Sequence, residues 1–281
     1  MDINPQDLQR ILSQLPPGPR MPAIFVGHGS PTNALEDNPF TRSLAQMGRD
    51  FKEPPQAILV ISAHWLTAGI FVQEGQRPET LHDFGGFPEE LYRVQYPAPG
   101  APEYARATAA LLGTETATTT QWGLDHGAWS VLRHIFPEAR IPVYQLSIDW
   151  ARKIDFHYDF ARALKPLRDR GVLILGSGNV VHNLRRSMPR FMEGDPRPFD
   201  WAVEFDAWIK DRLEQRDFAG LSRFDGVGQA ALLSVPSPDH YVPLLYTAAV
   251  AEPGETITHI HEEVCYGGIS MRTFRVEANG R

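Results

Sequence analysis

The most constraining feature of this 281-residue chain is a series of short runs of Val, Ile and Leu without polar alternation. Such runs are typical of strands that are buried on both faces of a sheet. Segments with helical periodicity lie between them, which predicts an α/β fold with helices on both faces of a largely parallel or mixed sheet. The predicted strands are 22–26, 56–61, 141–148, 172–175, 230–235 and 268–276. The predicted helices are 41–48, 102–112, 127–135, 157–170 and 201–212.

The domain organisation follows from the position of the proline-rich breaks. We predict an N-terminal extension at residues 1–20 and one catalytic domain at residues 21–281. Leu8, Ile11, Leu12 and Leu15 have the spacing of a short amphipathic helix, which could pack on the domain or on a second subunit, although a loosely docked extension is favoured. The N-terminus lacks the apolar core of a secretory signal, so we expect a cytoplasmic protein.

Composition excludes several classes of function. Asp and Glu number 34 against 27 Lys and Arg, and the resulting net charge of −7 argues against nucleic acid or an anionic membrane as a partner. The single cysteine, Cys265, excludes an intrachain disulfide framework and a cysteine-based zinc site. Ten histidines accompany it, so any metal must be held by imidazole and carboxylate groups.

Three of these histidines follow predicted strands directly. His28 lies in Val-Gly-His-Gly-Ser-Pro, His64 in Ser-Ala-His-Trp, and His182 in Gly-Asn-Val-Val-His-Asn. In open α/β sheets, ligands bind at the carboxyl ends of the strands. One such histidine would more often be an ordinary loop residue, but the repeated context favours a metal site.

Two further histidines belong to candidate helix starts. Ser237 and the proline after it resemble a helix N-cap and first-turn pair, which would place His240 in the first turn. Asp125 is a candidate N-cap for the helix that follows His126. His259 and His261 form a His-x-His pair on a predicted strand, where an exposed, charged strand end is favoured over a metal site.

Seven ordered motifs together resemble the class III extradiol ring-cleavage dioxygenases, in the branch of DOPA 4,5-dioxygenase-like proteins. The resemblance covers about residues 21–276 and excludes the first 20 residues. The motifs are Gly27-His28-Gly29-Ser30-Pro31, Ser62-Ala63-His64-Trp65, His82-Asp83-Phe84-Gly85-Gly86-Phe87-Pro88, Tyr96-Pro97-Ala98-Pro99-Gly100, Asp125-His126-Gly127-Ala128-Trp129, Gly178-Asn179-Val180-Val181-His182-Asn183 and His240-Tyr241-Val242-Pro243-Leu244-Leu245.

This resemblance implies a single α/β domain with one mononuclear divalent metal. It assigns His28, His64 and His240 as metal ligands. It assigns His182 as the acid–base residue, with a fourth-ligand role as an alternative, and it places His126 beside the substrate. The wider class uses two histidines and a glutamate, the facial arrangement of Fe(II) oxygenases, whereas three histidines are closer to catalytic zinc sites. We therefore expect Fe(II) for turnover and Zn(II) in the purified protein, with Asp239 as an alternative ligand.

The predicted activity is extradiol cleavage of a DOPA-like catechol with O2. His182 would act as the general base and later return a proton, while His126 would hydrogen-bond the substrate or O2. His82, Phe84 and Tyr241 are predicted to contact the substrate, and the loop 82–100 is the candidate lid. Two alternatives remain at this point: a zinc-dependent hydrolase on the same site, and a non-catalytic binding protein of this fold. The sequence indicates no oligomeric state.

Overall fold

A computed structural model describes residues 4–278 of the chain. Its strands are β1 (Ala23–Gly27), β2 (Ala57–Thr67), β3 (Ile70–Gln73), β4 (Thr116–Thr119), β5 (Val143–Asp149), β6 (Val172–Gly178), β7 (Thr256–His261), β8 (Val264–Cys265), β9 (Ile269–Ser270) and β10 (Thr273–Glu277). Its α-helices are α1 (Pro5–Leu12), α2 (Pro39–Arg49), α3 (Glu89–Tyr92), α4 (Pro102–Leu112), α5 (His126–Ile135), α6 (Ile154–Ala161), α7 (Leu184–Glu193), α8 (Asp200–Glu214), α9 (Phe218–Leu221), α10 (Gln229–Ser234) and α11 (Val242–Ala249). Short 3₁₀ segments cover Pro31–Ala34, Arg162–Arg170 and Phe224–Val227.

Eight of the strands form one mixed sheet in the order β4-β3-β5-β2-β6-β1-β10-β7. The central strands β5, β2, β6 and β1 pair in parallel. At one side β10 and β7 run antiparallel, and at the other β3 pairs antiparallel with β5. The mixed α/β fold predicted from the sequence is confirmed. Because the central strands are parallel, their carboxyl ends meet at one edge of the sheet.

The central strands are buried on both faces, as their continuous apolar sequences predicted. In β1, Phe25 belongs to one hydrophobic core, which also contains residues of α4, α6, α8 and α11. Its neighbours Ile24 and Val26 belong to a second core, which contains residues of α2 and α5. All three side chains have no exposed surface. Helices therefore cover both faces and leave the edges of the sheet for function.

The N-terminal helix packs on this domain. Asn4 caps α1, and Ile11, Leu12 and Leu15 are buried in the first core, with α1 in contact with α4. The loosely docked extension favoured by the sequence is therefore wrong, because three apolar side chains leave water here. No helix among residues 4–278 is long and apolar enough to cross a bilayer.

Four predicted elements differ from those observed. Residues 230–235 form helix α10 instead of a strand, since a short apolar run does not distinguish the two by its period alone. Strand β2 continues to Thr67, beyond the predicted end at residue 61. The predicted helix 157–170 changes to 3₁₀ geometry at Arg162, ahead of Pro166. The predicted strand 268–276 is divided into β9 and β10.

Candidate metal centre

Five histidines meet at the carboxyl edge of the parallel strands. His28 directly follows β1, His64 lies near the end of β2, and His182 follows β6 after a short loop. His126 is the first residue of α5, and His240 precedes α11. Their neighbouring rings have centroids 3.5 to 5.7 Å apart. The fold thus brings together all the histidines that the sequence assigned to the site.

The start of α11 differs from the sequence prediction. The helix begins at Val242, so His240 lies in the turn before the helix instead of in its first turn. Pro243 explains the difference, because a proline is tolerated in the first turn of a helix but not deeper within it.

His28, His64 and His240 have the arrangement of a metal-binding triad. One ring nitrogen from each lies within 4.8 Å of the other two. The Nε2 atoms of His28 and His64 are 3.2 Å apart. Two imidazole nitrogens bound to one ion at tetrahedral angles are about 3.3 Å apart, given metal–nitrogen bonds of about 2.0–2.1 Å. The three side chains therefore fit a single divalent metal.

Hydrogen bonds fix the tautomer of His28. The Ser177 hydroxyl donates its proton to the Gly127 carbonyl oxygen. It can therefore only accept from His28 Nδ1, which lies 2.9 Å from Ser177 Oγ. With the proton on Nδ1, the lone pair of Nε2 faces the triad, as a metal ligand requires.

Asp239 fixes the ring of His240 in the same way. Its Oδ2 atom accepts a hydrogen bond from His240 Nδ1 at 2.5 Å. Burial raises the pKa of Asp239, but the hydrogen bond and charge of His240, together with the hydrogen bond from Ser237, outweigh it and hold that pKa well below its usual range. The carboxylate thus orients the ring of His240. The sequence alternative of Asp239 as a ligand is less favoured by this geometry.

His182 stacks on His240 from the other side. The two rings are nearly parallel, with centroids 3.5 Å apart. His182 groups with Asp239 and His240, not with the triad of His28, His64 and His240. Burial, reinforced by the neighbouring His240, lowers the pKa of His182 to about 3, so its ring is neutral at pH 7. This placement suits a proton acceptor at the edge of the site better than a fourth ligand.

Asp83 occupies the opposite side of the site. Its Oδ1 atom accepts from the backbone N–H of His126 at 2.8 Å, and its Oδ2 atom accepts from His126 Nδ1 at 3.0 Å. The same Oδ2 atom lies 3.6 Å from His64 Nδ1. Asp83 lies in one of the seven motifs, but the family resemblance assigns it no role. Its partner His126 is 43 residues away along the chain, so only the fold shows the contact.

Two of the triad histidines, His28 and His64, have lowered pKa values for a physical reason. Burial, followed by repulsion from the neighbouring imidazoles, holds the pKa of His28 well below its usual range. Burial and the nearby His126 do the same for His64. Both rings therefore remain in the form that binds a metal.

Asp125 anchors the helix that carries His126. It is fully buried, caps α5, and accepts from Ser62 Oγ at 2.6 Å and Gln145 Nε2 at 2.7 Å. These bonds tie the helix to β2 and β5. Asp125 Oδ1 also accepts from the backbone N–H of Ala128 at 3.2 Å, which confirms the predicted N-cap. Gly127 lies in the first turn of α5. A Cβ atom at this position would approach Ser62 Oγ to 2.5 Å, so only glycine allows this close packing.

The loop 82–100 places aromatic side chains beside the site. Phe84 lies edge-on to His126, with ring centroids 5.5 Å apart, and it also contacts Phe87 and Tyr92. The Nε2 atom of His82 donates to the Val94 carbonyl oxygen at 3.0 Å, so this histidine braces the loop from within.

Tyr241 is placed away from the site. Its side chain has no exposed surface, and its hydroxyl donates to the Leu221 carbonyl oxygen at 2.9 Å. Its ring packs against Phe224 with centroids 4.5 Å apart. The contact with substrate predicted for Tyr241 is incompatible with this burial in the core.

A cavity of about 250 Å³ adjoins the His240 side of the site. Asp239, which orients His240, forms part of its wall, and so does Leu66, two residues beyond His64. Trp150 at its rim is 68% exposed. The remaining lining residues are Ile148, Arg152, Ile154, His157, Ser237, Pro238 and Val242.

The chain resembles known proteins over most of its length. Residues 21–273 match the family described as the catalytic LigB subunit of aromatic ring-opening dioxygenase. A protein of Escherichia coli K12 named 4,5-DOPA dioxygenase extradiol is 43% identical over 265 residues, which cover 92% of this chain and 95% of that protein. A protein of Beta vulgaris with the same name is 35% identical over 258 residues, covering 90% of this chain and 95% of that protein.

A solved structure has the same fold. The crystal structure of the uncharacterized protein JW3007 from Escherichia coli K12 superimposes with a TM-score of 0.79 at 39% sequence identity. The match covers 92% of this chain and 100% of that one. Together with the histidine cluster at the sheet edge, these similarities show that the chain belongs to the LigB family of aromatic ring-opening dioxygenases.

Proposed function

We propose that this protein cleaves the ring of a catechol with O2, at the bond beside the two hydroxyl-bearing carbons. The observation that carries the proposal is a set of three histidines, His28, His64 and His240, each with one ring nitrogen within 4.8 Å of the others, with His126 and His182 next to them. Family membership supports the reaction class. Both oxygen atoms of O2 would enter the product, a ring-opened semialdehyde.

His28, His64 and His240 would hold the metal. We propose Fe(II) as the metal that supports turnover and Zn(II) as one that the same three imidazoles bind in the purified protein. A bound divalent ion supplies Lewis acidity, which lowers the pKa of a coordinated hydroxyl group.

His182 would act as the general base. A neutral imidazole has a free ring nitrogen lone pair, which would accept a proton from a catechol hydroxyl. The same proton can later be returned to the opening ring. Because His182 stacks on the ligand His240, its ring is held against the site without occupying a ligand position in the triad.

His126 would orient the substrate. Asp83 accepts the Nδ1 proton of His126, so the Nε2 atom is left as the acceptor of that ring. Its ring centroid lies 3.8 Å from that of His64, so a hydroxyl group near the metal can donate to it. Phe84, edge-on to His126, would cover one face of the aromatic ring.

The relatives named 4,5-DOPA dioxygenase extradiol suggest a catechol that carries a side chain. The cavity of about 250 Å³ beside Asp239 could accommodate such a substituent, because most of its lining is apolar. The aromatic side chains of the loop 82–100 would then cover the ring itself.

The test is reconstitution with Fe(II) under anaerobic conditions, followed by oxygen and a panel of catechols that includes L-DOPA. We expect oxygen uptake and a coloured semialdehyde product. Replacement of His182 by Gln should lower kcat by about 10²–10⁴-fold while the protein retains its metal. Absence of both oxygen uptake and colour across the panel would refute the proposal.

The same preparation separates the two alternatives raised by the sequence. Zinc-loaded protein is assayed with a panel of esters and amides, and hydrolysis that depends on His182 would support the hydrolase instead. A non-catalytic binding protein would show neither reaction. The family match and the named relatives favour the dioxygenase.

A further inference from the structure

The carboxylate of Asp83 contacts two histidines of the site at once. One oxygen accepts from the backbone N–H of His126, and the other accepts from its Nδ1 atom. The second oxygen also lies 3.6 Å from Nδ1 of His64. Asp83 is 19% exposed in its side chain and stands in the loop 82–100, between His82 and Phe84. It is therefore a direct link between this loop and the metal centre.

The positions of the protons around Asp83 can be inferred, because some groups there can only donate a hydrogen bond and others can only accept one. The backbone N–H of His126 has no other role available to it. An ionised carboxylate can only accept, so the Nδ1 atom of His126 must carry a proton. Nδ1 of His64 faces the same oxygen, while its Nε2 atom lies 3.2 Å from Nε2 of His28. In His126 the proton on Nδ1 leaves Nε2 as the acceptor of the ring, and the charge of Asp83 favours the same tautomer in His64.

We propose that Asp83 is a positioning residue that sets the tautomer of His126 through a hydrogen bond, favours a proton on Nδ1 of the ligand His64 through its charge, and holds the loop 82–100 against both rings. Its consequence for turnover rests on the proposed function, whereas its effect on the protons does not. The carboxylate also lies at the N-terminus of α5, where the first backbone N–H groups have no partner within the helix. The contact therefore positions the loop, the helix and both rings together.

Asp83→Asn provides a sharp test because the side chain keeps its shape while one carboxylate oxygen, an acceptor, is replaced by an NH2 group, a donor. The amide oxygen must face the backbone N–H of His126, which leaves the NH2 group facing Nδ1. That nitrogen must then accept, and the proton moves to Nε2. Imidazole ¹⁵N NMR of the metal-free protein reads the tautomers directly. We expect His126 to be protonated on Nδ1 in the wild type and on Nε2 in the variant.

Metal binding gives a second readout that requires no turnover. Competition with a chelator for Zn(II) should show about 10–100-fold weaker binding in Asp83→Asn, the usual effect of removing the partner of a metal-binding histidine. Glu89→Gln is the matched control, since Glu89 is in the same loop, is 82% exposed and pairs with Arg93 in an exposed contact. We expect the control to bind Zn(II) like the wild type.

Two more variants keep the proposal testable if Asp83→Asn folds poorly. Asp83→Glu retains the carboxylate and should restore the wild-type tautomers at least in part, and Asp83→Ala should allow His126 to populate both. With Fe(II) and a catechol, Asp83→Asn should lower kcat more than it raises KM. Wild-type tautomers and wild-type Zn(II) affinity in both Asp83→Asn and Asp83→Ala would overturn the proposal, even if no catechol is turned over.

Discussion

Histidines gather in two regions of the molecule, and the hydrogen-bond partners of their ring nitrogens differ between the two. At the carboxyl edge of the sheet, the Nδ1 atoms of His28, His126 and His240 are bonded to Ser177, Asp83 and Asp239. At the outer strand β7, Arg272 Nη1 lies 3.2 Å from His259 Nδ1, and His261 Nε2 donates to Glu263 at 3.0 Å.

This difference indicates that the positions of the ring protons, more than the spacing of the histidines in the sequence, determine which of the two histidine clusters can bind a metal. In the first region the Nε2 atoms of His28 and His64 lie 3.2 Å apart, at a separation that suits two ligands of one cation. In the second, His259 and His261 are engaged with charged side chains. Within residues 4–278, they complete no group of three potential ligands. The charged neighbours agree with the predicted strand end, but the side chains of His259 and His261 are each only 13% exposed, so this end is half-buried instead of exposed.

Removal of one triad ligand should have the largest effect. We expect His28→Ala to weaken Zn(II) binding by more than about 100-fold. Mutation of a residue that only hydrogen-bonds to a metal ligand already lowers metal affinity by about 10–100-fold, and loss of the ligand itself should cost more. His259→Ala is the matched control and should retain the metal. Metal content by mass spectrometry and chelator competition measure both. Equal losses in the two variants would mean that the two regions do not differ as described.

A buried histidine outside both regions should make stability depend on pH. His157 is 1% exposed, and its Nδ1 atom is within 3.2 Å of the Tyr246 hydroxyl. Burial lowers the pKa of His157 to about 4. Its contribution is therefore fully present above the unfolded pKa of about 6.5 and is lost as the pH falls toward 4.

Replacing His157 by Gln should remove this dependence. Between pH 7 and about pH 4.5, we expect the free energy of unfolding of the wild type to fall by about 2 kcal/mol more than that of the variant. Urea unfolding at both pH values measures the difference. Tyr246→Phe retains His157 and should keep the wild-type dependence, so a flat profile in that control would contradict the assignment.

The smallest expected effect concerns the cavities beside the two regions. Six of the ten residues that line the cavity next to Asp239 are apolar, whereas five of the nine that line a cavity of about 310 Å³ beside β7 are charged. With Fe(II)-loaded protein, Trp150→Ala should raise KM several-fold for catechols with a large substituent, about 1 kcal/mol, and leave unsubstituted catechol unchanged. Val203→Ala, at the second cavity, is the control. An equal change for both substrates would exclude the cavity as the substituent site.

Much of the fold was predictable because burial on both faces leaves a direct trace in the sequence. The runs around Phe25 and Val60 contain only apolar residues, and the structure buries them completely. The segment 230–235 was misassigned because six apolar or small residues fit a strand and a helix equally well. Its packing against α8 decides for the helix. Local pattern thus predicts long buried elements better than short ones.

The candidate site was predictable in part. The strand-end motifs and the family resemblance indicated His28, His64, His126, His182 and His240, and the fold brings these five together. Tyr241 was misplaced because a residue beside a ligand in sequence can still point into the core.

The sequence by itself determined the α/β architecture, the chemistry available to a metal and the family to which the chain belongs. These properties reside in composition, in apolar periodicity and in short motifs, all of which are local. The tertiary structure alone decided where the protons of those histidines lie. The bond between Asp83 and His126 joins positions 43 residues apart, and that between His28 and Ser177 joins positions 149 apart. Such contacts depend on how the strands are ordered in the sheet, which no local pattern records.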